Sequence, residues 1–133
     1  MRVHELMQSN LVTVASDSPV SEAIVALADA HVTGLPVVDA NGHLVGVLST
    51  SDILTAMAEH PPEEPTGALF EDVLVRDLMT PKPMTIAPQA GMKEAAQQML
   101  YANVHRLFVE KDGELLGVVS QSDVVRAVAN ARV

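Results

Sequence analysis

The chain has 133 residues, 48% of them hydrophobic and 19% charged, which is enough for a compact fold with a buried core. Its formal net charge of −9 and its one tyrosine and two phenylalanines argue against nucleic-acid binding, which needs a clustered basic face and aromatic stacking platforms. Zero cysteines exclude disulfides and thiolate metal sites, and no apolar run has the length of a membrane span or a signal peptide, so a cytoplasmic protein with no membrane association is expected.

A short amphipathic helix is predicted over Val3 to Met7, followed by a brief β segment at Leu11 to Val14. Ser18-Pro19 reads as an N-cap ahead of a proline at the first helical position, and Ile24, Leu27, Ala28 and His31 follow at helical spacing. Two β runs, GLPVV and HLVGVLS, flank Asn41-Gly42, a pair that tolerates the positive φ of a tight hairpin turn. A helix from Thr50 to about Glu59 closes the series, and the stretch HPPEEPTG, His60 to Gly67, reads as an extended acidic linker.

The series then starts again. A helix is predicted over Asp72 to Met79, a β segment at Met84 to Ile86, and a helix carrying Met92, Ala95, Ala96 and Met99. RLFVE and ELLGVVS flank Asp112-Gly113, and a last helix runs from Gln121 to about Ala131. Leu6, Met7, Thr13, Glu22 and Val37 return 72 residues later as Leu78, Met79, Thr85, Glu94 and Val109. GVLSTSD at Gly46 to Asp52 returns 71 residues later as GVVSQSD at Gly117 to Asp123, so one residue is lost in the turn between Val109 and Gly113. A long period with two copies points to a pseudo-symmetric pair and not to a solenoid. The expected fold class is α+β, an α/β sandwich-like pair of β-α-β-β-α repeats. Their three-stranded sheets are expected to pack face to face about a pseudo-twofold axis. Residues 1–60 and 72–133 are the expected domains, with 61–71 as the linker between them.

The pattern Ser-x-Ser-Asp stands at a strand-to-helix junction in each copy: Ser49, Ser51 and Asp52, then Ser120, Ser122 and Asp123. One reading is a capping box, in which serine and aspartate satisfy orphan amides of the first turn. The other uses the same geometry as a ligand site, with helix amides and hydroxyls for phosphate and a carboxylate for the paired hydroxyls of a ribose. Charge separates the copies. Residues 1–72 carry one basic residue against eleven acidic ones, and residues 73–133 carry seven against six, so a small anion is expected to prefer the second copy.

The segments LPVVDANGHLVGVLSTSD and VHRLFVEKDGELLGVVSQSD, with LMQ at Leu6 and LMT at Leu78 opening the copies, resemble the cystathionine-β-synthase (CBS) domain. Two such copies in tandem resemble a Bateman module of the free-standing kind, and the resemblance covers essentially the whole chain. It implies a regulatory module, not an enzyme, that changes conformation on binding an adenosine nucleotide in the clefts between the copies. AMP, ADP or ATP is expected before S-adenosylmethionine or NAD, with no required cofactor and no metal site. The implied partners are a second copy, in a disc-like homodimer of four CBS repeats, and a regulated protein of unknown identity.

Carried onto this sequence, the resemblance makes Asp123 the ribose ligand of a principal site. Ser120, Ser122, His105 and Arg106 would serve ribose and phosphate there, and Thr85 and Ile86 the adenine pocket. A second site would use Asp52, Ser49, Ser51, Thr13, Val14 and Pro36, with Lys82 a weaker candidate ligand. The first copy has Thr33, Gly34 and Asn10 where the second has His105, Arg106 and Lys82, and Pro36 where the second has Phe108. The alternative reading is a dimerisation module with little or no nucleotide binding. Enzymatic chemistry is disfavoured because no nucleophile–base pair or phosphate-binding loop is present in the sequence.

Overall fold

The computed structural model describes residues 1–61 and 70–130; most of the linker expected at 61–71 lies outside the described residues. In chain order the elements are α1 (Val3–Leu6), β1 (Val14–Ala15), α2 (Val20–Ala30), β2 (Gly34–Val38), β3 (Leu44–Ser49), α3 (Thr50–Glu59), α4 (Val75–Leu78) and β4 (Thr80–Pro81). The second half continues with β5 (Thr85–Ile86), α5 (Met92–Ala102), β6 (Arg106–Lys111), β7 (Glu114–Ser120) and α6 (Gln121–Asn130). The fold is α+β with two sheets, ordered β1-β2-β3-β4 and β5-β6-β7. The short strands run parallel to their neighbours, with Val14 opposite Val37 and, 72 residues on, Ile86 opposite Val109. One sheet therefore has the expected three strands and the other gains a fourth, since β4 pairs with β3 at Thr80 and Val47.

The chain forms two compact units, one of Met1–Leu11 with Met84–Val133 and one of Val12–Pro83. They divide the chain at different points from the sequence copies, because each unit takes its first short helix from the other copy. Val3 and Leu6 are buried with Ile86, Ala95, Met99 and Leu107, and Val75 is buried with Val20, Ala23, Val37 and Leu48. The main chain repeats the exchange. Val3 N–H donates to the Ala90 carbonyl (2.8 Å) and His4 N–H to that of Pro88 (3.0 Å), as Val75 N–H donates to Ser18 (2.8 Å) and Arg76 N–H to Ser16 (2.9 Å).

The exchanged segments also cap the long helices. Met92 N–H at the start of α5 donates to the Met1 carbonyl (3.0 Å), and Val20 N–H at the start of α2 donates to the Val73 carbonyl (2.8 Å). This corrects the expectation for Ser18: Pro19 occupies the N-cap with no side-chain bond, and the orphan amide of Val20 finds a backbone acceptor instead.

His31 also differs from its expectation. It lies beyond the helix face and ends α2 in the left-handed region at φ 55, as Asn103 ends α5 at φ 56. A side chain with a Cβ is disfavoured in this conformation, and histidine lacks the short polar group that suits asparagine to it. His31→Gly is therefore expected to raise stability by about 0.5–1 kcal/mol, read as a higher urea midpoint at unchanged slope.

The hairpins differ by the residue lost between the copies. Asp112 (φ 54) and Gly113 (φ 85) are both left-handed, as a two-residue hairpin loop requires. In the first hairpin only Gly42 (φ 81) is, so Asn41 does not have the expected positive φ. The extra residue opens a wider turn in which Asp39 Oδ1 accepts the amides of Asn41 and His43, each at 2.9 Å. The His43 amide, with that of Asn41, holds the Asp39 carboxyl below its ordinary value.

Candidate functional site

Both Ser-x-Ser-Asp motifs form reciprocal capping boxes. Ser49 ends β3 in extended conformation, its N–H donates to Asp52 Oδ2 (2.8 Å), and Asp52 N–H donates back to Ser49 Oγ (3.2 Å). The Ser49 hydroxyl also donates to Asp52 Oδ2 at 3.0 Å. At the start of α6, Ser120 N–H donates to Asp123 Oδ2 (2.8 Å) and Asp123 N–H to Ser120 Oγ (3.2 Å). In each box the cap uses one carboxylate oxygen, so the other, Oδ1, is available for a second task.

The copies part company at Oδ1. Asp123 is 8% exposed, and its Oδ1 accepts Arg126 Nη1 at 3.2 Å and Gln8 Nε2 at 3.3 Å. Asp52 is half-buried, and its Oδ1 has no hydrogen-bond partner among the described residues.

Gln8 is delivered to the site by the backbone. Its N–H donates to the Val118 carbonyl (2.8 Å) and its carbonyl accepts the Val118 N–H (2.9 Å). This approach requires Gly117, because a Cβ there would stand 2.7 Å from the Gln8 carbonyl oxygen and 2.8 Å from Met7 Sδ. Gly46 makes the same room for Met79 and Thr80. The glycine of GVLS and GVVS and the methionine of LMT and LMQ are thus two halves of one contact. Gln8 was not among the residues the sequence singled out; the signal for it lay in the joint recurrence of these two motifs.

A cavity of about 420 Å³ opens at this junction, lined by His105, Arg106, Ser120, Ser122 and Asp123 and completed by Gln8, Val118 and Gln121. Five of the seven residues expected at the principal site therefore converge. The other two do not line the cavity: Thr85 is half-buried in β5 opposite Phe108, and Ile86 is buried in the core. Phe108 is itself 4% exposed and lies outside the lining. In the other unit, Ser49, Ser51 and Asp52 share their junction, Val14 packs against the core and Pro36 is buried in β2 opposite Val47. Thr13 and Lys82 are exposed in that unit, Lys82 with φ 54.

The cavity combines a carboxylate acceptor, two hydroxyls, two basic side chains and the amino end of the ten-residue helix α6. Such a set has the donors and acceptors that an anion joined to a diol requires. Among the described residues no group of three or more His, Asp or Glu side chains could hold a metal ion, and no helix is long and apolar enough to cross a membrane.

The CBS domain family matches residues 3–59 and 75–130, and the chain belongs to that family as a tandem pair. The chloroplastic CBS domain-containing protein CBSX2 of Arabidopsis thaliana is 33% identical over an alignment of 141 positions, gaps included, that covers 90% of this chain and 59% of CBSX2. This chain thus spans about 59% of that relative's length. A CBS domain-containing protein of Dictyostelium discoideum is 33% identical, with 92% of this chain and 88% of that protein covered. The crystal structure of CBSX2 in complex with AMP superposes with a TM-score of 0.84 at 30% identity, covering 99% of both chains.

Proposed function

We propose that this protein is a regulatory module that binds an adenosine nucleotide at the Asp123 site. The observation that carries the reading is the convergence of His105, Arg106, Ser120, Ser122 and Asp123 on one cavity of about 420 Å³. In this reading Asp123 Oδ1 accepts the ribose hydroxyls while Oδ2 keeps its bond to the Ser120 amide. Ser120, Ser122, His105 and Arg106 meet the phosphate, and the main chain near Thr85 and Ile86 contributes to adenine recognition. AMP is the first candidate, supported by the AMP complex of CBSX2; ADP, ATP, S-adenosylmethionine and NAD follow.

Asp52, with Ser49, Ser51, Thr13, Val14 and Pro36, forms a weaker second site, because Thr33 and Gly34 replace the two basic side chains. Regulation follows if the bound and free forms differ in the surface they offer a partner, since a ligand shifts an equilibrium only by its differential affinity. A thermal-shift panel of AMP, ADP, ATP, S-adenosylmethionine, NAD and GTP tests the reading. A ligand at one hundred times its Kd adds about 2.7 kcal/mol, so an upward shift with AMP and none with GTP is expected. No shift with any adenosine ligand removes the proposal.

A second reading, a homodimerising interaction module, draws on the exposed apolar residues of the closing helices. Leu54 and Met57 on α3 and Val125 and Val128 on α6 are between 46% and 67% exposed. This reading expects a dimer whose stability no nucleotide changes.

A further inference from the structure

Asp123 stands in the wall between two cavities. One is the proposed nucleotide cavity. The other, of about 400 Å³, is lined by Met1, Glu5, Leu6, Arg126, Ala127 and Asn130 in addition to Asp123. Arg126 reaches Asp123 Oδ1 from that second side, and Gln8 reaches the same oxygen while lining the first cavity. The oxygen not used by the cap is therefore already occupied.

The other unit shows what the site is without these groups. The positions equivalent to Gln8 and Arg126 are Thr80 and Thr55, and Asp52 Oδ1 accepts no hydrogen bond from the described residues although its capping box is otherwise the same. We infer that Gln8 and Arg126 are specificity-determining guard residues, which occupy the ribose-binding oxygen of Asp123 and must be displaced when a diol ligand enters. The inference rests on the nucleotide-site reading above and adds its regulation.

The guard is built to yield. Its two bonds, at 3.2 and 3.3 Å, are longer than the roughly 2.7–2.9 Å of strong charge-assisted contacts. The Arg126 side chain is 62% exposed and can regain water when it leaves. An ion pair of this kind shifts an equilibrium by at most about fivefold. The guard thus lowers affinity moderately, and it weakens ligands with a vicinal diol, which must displace it to reach Oδ1, more than ligands that leave that oxygen alone.

Isothermal titration of AMP and of 2′-deoxy-AMP into wild type, Arg126→Ala and Gln8→Ala tests this, with a melting curve for each protein to establish folding. Arg126→Ala is expected to tighten AMP binding about two- to fivefold, and Gln8→Ala to tighten it in the same direction. Both variants are expected to widen the preference for AMP over the deoxy ligand, because in wild type the full diol pays the larger share of displacing the competitor. Unchanged or weaker AMP binding in a folded Arg126→Ala protein overturns the guard and leaves the nucleotide site intact. Absence of AMP binding in all three proteins overturns the nucleotide site and the guard with it.

Discussion

Gly117→Ala is expected to destabilise the protein by about 2–3 kcal/mol, in the upper part of the range for overpacking a close-fitted interior. The added Cβ would meet the carbonyl oxygen of Gln8 at 2.7 Å and Met7 Sδ at 2.8 Å. Met7 can swing its sulfur aside, but the Gln8 carbonyl is held by the Val118 N–H at 2.9 Å, and moving it breaks that bond and its partner from Gln8 N–H to Val118 at 2.8 Å. The effect is therefore on the backbone and is not relieved by a rotamer change. Gly91→Ala is the control: nothing lies within 4 Å of its would-be Cβ and its φ is an ordinary −81, so a change below about 1 kcal/mol is expected. Urea unfolding of both variants measures the difference. Because Gly117 positions Gln8, its substitution is also expected to loosen the contact between Gln8 and Asp123.

Asp123→Ala is expected to act on stability and on binding together. The cap loses the Ser120 N–H bond, which leaves a half-buried amide unsatisfied at a cost of about 1–2 kcal/mol. Nucleotide affinity is expected to fall by about tenfold or more, the loss that goes with a hydrogen bond to a charged group. Asp123→Asn separates the two roles. It keeps an oxygen able to accept the Ser120 amide, so stability should largely return, while the weaker acceptor leaves nucleotide binding impaired. Asp52→Ala supplies the comparison, with a similar loss of stability from its own capping box and a smaller effect on affinity, since no basic side chain stands at the positions of His105 and Arg106 there. Paired melting and titration of the three variants reads both quantities.

The repeat made most of the fold legible. The β-α-β-β-α order, the ends of α3 and the two Ser-Asp boxes follow from patterns within a few residues of one another, and local bonds decide them. The exchange of α1 and α4 was not legible for a specific reason. Val3 and Leu6 in one helix, and Val75 and Leu78 in the other, offer the same apolar spacing, so either helix suits either core by pattern alone. Ser18 was misread because the amide it was expected to cap is satisfied by Val73, a backbone carbonyl 53 residues away that leaves no side-chain signature. The candidate site divided along the same line. His105, Arg106, Ser120, Ser122 and Asp123 are local to one hairpin and its following helix, whereas Gln8 enters from the far end of the chain.

A crystal structure of the protein grown with AMP tests the central claim most directly. The account predicts the ribose hydroxyls within about 2.6–3.2 Å of Asp123 Oδ1, the phosphate beside His105 and Arg106, and the Arg126 and Gln8 side chains withdrawn from that oxygen. AMP absent from the crystal, or bound with its ribose on Asp52 while Arg126 still holds Asp123, would contradict it.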